Sequence, residues 1–226
     1  MNCFSACAKV LRHRRPPHPE RLMPAEHNVN TMGSQHFKVV ESEVYEPAED
    51  TYLLLKAALE EVRPEDCAIE IGCGRALISS RVAPLAKSFI ATDINPHAVR
   101  LARSHDLEAV RADLFRGIVG KFDLVIFNPP YLPTSDEERI GGWLNRAFDG
   151  GPEGRDTIGK FLESLRDHLS DSGRALLLVS SLSGLEEVIR KAEELGLKAR
   201  ELSSEKYFFE ALYVLRLDAV DRAHSP

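Results

Sequence analysis

From about position 39, apolar residues alternate between two rhythms, short apolar-rich runs and helical stripes. The runs are 67–71, 88–92, 107–112, 122–127 and 175–179. Runs of this length, bounded by turn residues, are the mark of strands buried on both faces. Stretches with a helical apolar period lie between most of them. Tyr52, Leu55, Leu59 and Val62 predict the inward face of a helix over 52–62, with Glu49 and Asp50 in its first turn, where acids suit the helix dipole. A short helix is expected from Arg75 to Val82, ended by Pro84. Asn95 and Pro96 are a cap and first position for the next. Asp156 is expected to cap a helix that turns Ile158, Phe161, Leu162, Leu165 and Leu169 inward. Ser183 and Glu186 have the spacing of a capping box, for a helix ending at Gly196. Segments 197–202 and 208–217, joined by a short polar turn, predict a closing hairpin.

Five strands alternating with helices predict an α/β fold around a parallel sheet. The hairpin brings the total to seven strands, with an antiparallel last strand and helices on both faces. Residues 37–217 are expected to form a single domain, followed by a loose tail over 218–226. Residues 1–36 hold four of the 13 prolines and half of the eight histidines, without a sustained apolar period, which predicts a disordered extension. Arg12, Arg14 and Arg15 precede any acid and would also suit an organelle transit peptide. An upstream start, with Met23 or Met32 as the working one, is a further reading.

Charge narrows the choice of partner. The chain is −6 overall; residues 1–36 hold five basic and two acidic residues, so the body is −9. That disfavours a nucleic-acid backbone as partner, which calls for clustered Lys and Arg. Cys3, Cys7, Cys67 and Cys73 show no paired metal spacing and are too few for a disulfide scaffold, so free thiols, no metal and a cytoplasmic setting are expected. No apolar run approaches the roughly 18–20 residues of a membrane span.

The chemistry-bearing residues fall at strand ends. Glu70-Ile71-Gly72-Cys73-Gly74 joins a strand to a helix; the two glycines permit a tight turn and close approach to a ligand. Leu77 stands where a dinucleotide fingerprint has its third glycine, and Glu70 would repel a pyrophosphate. The pair favours a ligand carrying positive charge, such as an amino acid or a sulfonium. Asp93, 21 residues beyond Gly72, ends the second strand at the spacing of a ribose-diol acceptor. Its competing role as a helix cap is one that Asn95 can fill. Asp113 could accept from an adenine amine or be a solvated loop acid. Asn128-Pro129-Pro130-Tyr131 stops the fourth strand, since neither proline donates to a ladder and Asn128 is pushed to an extended conformation. A carboxamide, two stiff rings and an aromatic make a rigid clamp for a planar NH2 group. Residues 132–156 form a long connection with five glycines, Trp143 and Phe148, expected to be a lid or substrate-facing loop.

Together, Glu70-Ile71-Gly72-Cys73-Gly74, Thr92-Asp93-Ile94-Asn95, Ala112-Asp113-Leu114 and Asn128-Pro129-Pro130-Tyr131 resemble the HemK-type amino-methyltransferases. The closing hairpin is similar to that of class I S-adenosylmethionine-dependent methyltransferases, whose fold is Rossmann-like. Tyr45-Glu46-Pro47-Ala48-Glu49-Asp50-Thr51 and Asp149-Gly150-Gly151-Pro152-Glu153-Gly154-Arg155-Asp156 resemble the eukaryotic and archaeal branch. The resemblance implies methylation of the glutamine in the Gly-Gly-Gln motif of a peptide-chain release factor, with S-adenosyl-L-methionine as cofactor. It implies a cofactor pocket of Thr51, Glu70, Gly72, Gly74, Asp93, Asp113, Leu114 and Asn128. Asn128, Pro129, Pro130 and Tyr131 would hold the substrate, with Asn128, Pro129 and Tyr131 catalytic. It also implies a small zinc-binding activator protein as partner. The alternatives are an adenine amino-methyltransferase of DNA or RNA, a protein lysine methyltransferase, and an inactive cofactor-binding subunit.

Overall fold

The structure, a computed structural model, describes residues 43–135 and 142–220. The expectations for residues 1–36, for Gly141 and for the chain after 220 lie outside the described residues. Seven strands form one sheet in the order β3-β2-β1-β4-β5-β7-β6. They are β1 (Cys67–Ile71), β2 (Ser88–Asp93), β3 (Ala109–Arg111), β4 (Phe122–Phe127), β5 (Leu169–Ser180), β6 (Leu197–Lys206) and β7 (Ala211–Ala219). β1 to β5 pair in parallel, and β7 runs antiparallel to both β5 and β6. The chain order reverses between β1 and β4, and ligands of open α/β sheets sit at the carboxyl ends of strands at such a point.

Alternation along the strands builds two cores. Leu124, Ile126, Leu176 and Leu178 face one side, packed with Leu53, Leu54, Ala57 and Ala58 of α1 (Glu49–Glu61). This cluster also takes in α2 (Leu77–Val82) and α3 (Pro96–Ser104). Val125, Phe127, Ala175 and Leu177 face the other side, against Ile158, Phe161, Leu162 and Leu165 of α5 (Asp156–His168) and Val188 and Ala192 of α6 (Leu185–Glu194). A one-residue shift in register would exchange the two faces of a strand.

Several local expectations are corrected by packing. The inward face of α1 is Asp50, Thr51, Leu53, Leu54, Ala57 and Ala58, whereas Tyr52 and Leu59 are exposed. Run 52–55 is apolar throughout, so the pattern allows more than one face, and the sheet selects among them. The expected capping box at Ser183 does not form. Ser183 closes a 3-10 turn (Ser181–Ser183), and Gly184, at φ 77°, stands at the N-cap of α6. Asp156 lies inside α5, with Arg155 at the cap position. β7 starts at Ala211, leaving Phe208 and Phe209 in the hairpin turn. Cys73 is a buried free thiol.

The far end of α1 is anchored by Arg174 of β5, which is fully buried. Its guanidinium bonds Asp66 at 2.7 and 3.2 Å, the Asp123 carbonyl at 2.9 Å, and both the backbone and side chain of Glu61. With its guanidinium so well matched by acceptors, this buried charge fixes where α1 lies on the sheet. The first turn of α1 thereby reaches the sheet's carboxyl edge.

Candidate active site

The register brings the strand ends level. Glu70 pairs with Ala91 on one side and Ile126 on the other, and Ile71 with Thr92 and Phe127. The turn after β1 and the clamp after β4 therefore open onto the same cavity, of about 420 Å³. This lies within the range of roughly 300–1,000 Å³ typical of small-molecule sites. Thr51, Glu70, Gly72, Gly74, Asp93, Asp113, Leu114, Asn128, Pro129, Pro130 and Tyr131 all line it. Thus every residue nominated from the sequence reaches one cavity.

The organising group is one to which the sequence assigned only a helix-dipole role. Asp50, in the first turn of α1, is almost fully buried. Its carboxylate accepts from the Tyr45 hydroxyl at 3.0 and 3.1 Å and from the Thr51 amide at 2.6 Å and hydroxyl at 3.1 Å. It also accepts from Asn128 Nδ2 at 3.1 Å and the Tyr131 hydroxyl at 3.3 Å. Burial, followed by the Asp50 charge, pushes both tyrosine hydroxyls well above the ordinary tyrosine range. They remain neutral donors, which the carboxylate requires.

Asn128 is consequently held by its nitrogen. Its Oδ1 is buried and has no hydrogen-bond partner among the described residues. A buried carbonyl oxygen left unpaired costs about 1–3 kcal/mol, so a structure that keeps one usually has a ligand to satisfy it. The oxygen is an acceptor, and it requires an N–H or O–H from whatever enters.

The three acids at the ends of β1 and β2 and beyond β3 are not equivalent. Glu70 is buried and accepts from the Ser79 hydroxyl. Burial dominates over that bond and raises its pKa to about 8, with Asp93 adding to the rise. Asp93 was expected to be free because Asn95 caps α3, and Asn95 Oδ1 does accept from the His97 amide at 2.9 Å. Yet Asp93 also accepts from the amides of Gly74 at 2.9 Å and Asn95 at 2.8 Å. It pins the glycine turn while lining the cavity, and burial raises its pKa against those bonds. Asp113 is exposed at the rim beside Leu114, whose φ is 50°.

The described parts of the long connection, 132–135 and 142–156, lie along this edge. Leu132 exchanges backbone bonds with Phe148 and Gly150, and Phe148 meets the Tyr45 ring edge-on at 5.3 Å. Trp143, opening the short helix α4 (Trp143–Arg146), lines the cavity with Arg146. The Arg111 and Arg146 guanidiniums lie 5.5 and 5.6 Å from its ring centroid. Gly154, at φ 69°, packs so closely that a Cβ there would overlap the Tyr131 carbonyl.

Six carboxylates and three basic side chains line the cavity in all. It suits a ligand with positive charge at one end and a planar NH2 group at the clamp. A family model described as the methyltransferase small domain matches residues 46–141. A Methanocaldococcus jannaschii protein, named provisionally as a protein N5-glutamine methyltransferase, is 44% identical over 180 residues, 76% of this chain and 90% of its own. The chain belongs to the HemK-type glutamine methyltransferase family. Methyltransferase HEMK2 of Mus musculus is 34% identical over 77% of this chain and 89% of its own. Among solved structures, Mtq2 in the E. cuniculi Mtq2–Trm112 complex superposes with a TM-score of 0.64 at 30% identity. It covers 78% of this chain and 99% of that one. That complex is described as responsible for methylating the eRF1 translation termination factor. Of the contributors missed in the sequence, Asp50 and Tyr45 stand within the Tyr45–Thr51 motif that carried the resemblance. Ser79 and Arg146 gave no local signal.

Proposed function

We propose that this methyltransferase carries a methyl group from S-adenosyl-L-methionine to the side-chain nitrogen of the glutamine in a release factor's Gly-Gly-Gln motif. The observation that carries the reading is that Asn128, a residue of the cavity wall, keeps a buried Oδ1 without a hydrogen-bond partner among the described residues while Asp50 occupies its Nδ2. The acid set fits the cofactor. Glu70 matches its cationic end, Asp93 and the glycine turn its ribose, and Asp113 with Leu114 its base. When bound, the cofactor supplies an electrophilic methyl on a sulfonium.

The protein's share is orientation. An amide nitrogen is a weak nucleophile because its lone pair is delocalised into the carbonyl. Asn128 Oδ1 and the Pro129 carbonyl accept the two N–H bonds of the target, turning the nitrogen towards the donor. These contacts would strengthen as positive charge grows on the target nitrogen during its methylation. Pro129 and Pro130 keep the acceptors stiff, and Tyr131, tethered by its hydroxyl, gives the planar group a wall.

The relative Mtq2 was solved as a complex with Trm112. We extend this to the present chain as a small activator partner, zinc-binding by family resemblance. We place the reaction in the cytoplasm; among the described residues no helix is long and apolar enough to cross a membrane. A labelled-methyl assay tests the function with a release factor, its Gln→Ala variant and duplex DNA, each with and without the activator. Label on the wild-type factor alone is expected; label on DNA alone overturns the reading.

A further inference from the structure

The β6–β7 hairpin ends in two side chains that the fold does not use. Phe208 is 92% and Phe209 85% exposed, and their rings touch only edge to face at 4.6 Å. The turn that carries them is closed by its own backbone, the Tyr207 amide donating to the Glu210 carbonyl at 2.8 Å. Two adjacent phenylalanines held in water are a cost with no return in the folded chain, unlike scattered surface apolar residues.

Their place in the fold gives them a use. Glu210 accepts from the Ser180 hydroxyl at 2.5 Å, and the Ala211 amide donates to Ser181 Oγ at 3.0 Å. The same short turn returns to the clamp, where Ser183 Oγ donates to the Tyr131 carbonyl at 3.2 Å. The hairpin base and the clamp are thus fastened to the same turn, and Leu182, exposed within it, extends the apolar surface. Glu205, Lys206 and Glu210 flank the tip, so the surface is aromatic at its centre and charged, with both signs, at its border. This is the layout of an interaction hot spot, whose occupant brings an apolar pocket with a polar border.

We propose that the Phe208–Phe209 tip docks the protein that carries the target glutamine, through an apolar patch with a polar border away from the glutamine itself. The proposal rests on the function given above. The chemistry calls for such a contact. A glutamine side chain offers little binding energy of its own, and contact with remote parts of a folded substrate can supply the rest. The fastening of the hairpin base to the turn that holds the Tyr131 carbonyl favours the substrate over a second copy of this chain or the activator, neither of which need approach the clamp.

The test is a Phe208→Ser/Phe209→Ser double variant, assayed with the activator present on two substrates, the intact release factor and a short peptide containing Gly-Gly-Gln. We expect KM for the intact factor to rise roughly tenfold or more, the size expected for loss of a buried aromatic anchor. The kcat, the peptide kinetics, cofactor affinity and Tm are expected to stay within twofold or within error. An unchanged KM for the intact factor overturns the proposal. So does an equal loss on peptide and factor, which would place the effect inside the cavity. Loss of activator binding, or conversion of a dimer to a monomer, assigns the tip to another occupant. If the wild-type protein labels no release factor, the proposed function fails first and the docking proposal fails with it.

Discussion

Asp50 and Asn128, 78 residues apart in the chain, meet through a 3.1 Å hydrogen bond from Asn128 Nδ2 to Asp50 Oδ2. The bond settles which end of the carboxamide Asp50 holds. An amide can turn over at little steric cost, and only its partners determine its direction. Opposite a carboxylate the nitrogen must be the end that donates, which leaves the oxygen as the unpaired acceptor.

Asp50→Asn tests this coupling. The substituted amide would have to meet donors from Tyr45, Thr51, Asn128 and Tyr131 with one acceptor oxygen. We expect kcat to fall by about a hundredfold, the scale on which small misplacements act, with cofactor affinity within a few-fold. Single-turnover methyl transfer and calorimetric titration of the cofactor separate the two. A loss confined to cofactor affinity would argue against the orienting role.

Asn128→Ala removes the acceptor itself. Turnover should disappear while cofactor affinity stays within a few-fold. Asn128→Asp should be equally inactive, although it keeps the shape, because it loses the Nδ2 donor and sets a second carboxylate against Asp50. Retained turnover in the alanine variant would remove Asn128 from the mechanism.

Glu70 predicts a pH dependence. Its folded pKa is about 8 against an ordinary value of 4.5, with burial the main cause. Between those values the folded state holds a proton that the unfolded state has released, so this group's contribution to stability falls as pH rises from about 4.5 to 8. Glu70→Gln should therefore raise the unfolding free energy without ligand by roughly 2–4 kcal/mol at pH 8 and by little at pH 4.5. Denaturant titrations at the two pH values measure this. A cationic ligand favours the ionised form, so wild-type cofactor affinity should strengthen as pH rises towards 8, and the variant should lose that slope.

Gly154→Ala should affect both stability and turnover. A methyl group at φ 69° is strained and would push the Tyr131 carbonyl from its place beside Ser183. A loss of about 1–3 kcal/mol in stability is expected, with kcat falling more than cofactor affinity. Thermal melts and initial rates check it.

What the sequence determined was local backbone chemistry and the order of elements. Pro129 and Pro130 end β4 wherever that strand lies, because their rings remove two donors. Asn95 and Pro96 start α3 by a bond that spans two residues. The alternation of apolar runs and helical stripes gave seven strands and a sheet with an antiparallel end, since a strand's period does not depend on its neighbours. The acids and glycines at strand ends could be assigned to one site because parallel strands present their carboxyl ends together.

Only the tertiary structure decided which face of α1 is buried, because a helix carrying Leu53, Leu54 and Leu55 in succession is apolar from several directions until a sheet covers one. It alone placed Asp50 behind Asn128, a contact that depends on Arg174 fixing α1 across β5. It alone left Phe208 and Phe209 in water. Their composition matches a strand, but pairing with β6 stops at Ala211, and the two rings project beyond the last ladder bond. Contacts between distant segments depend on the packing geometry of whole elements, which no local pattern encodes.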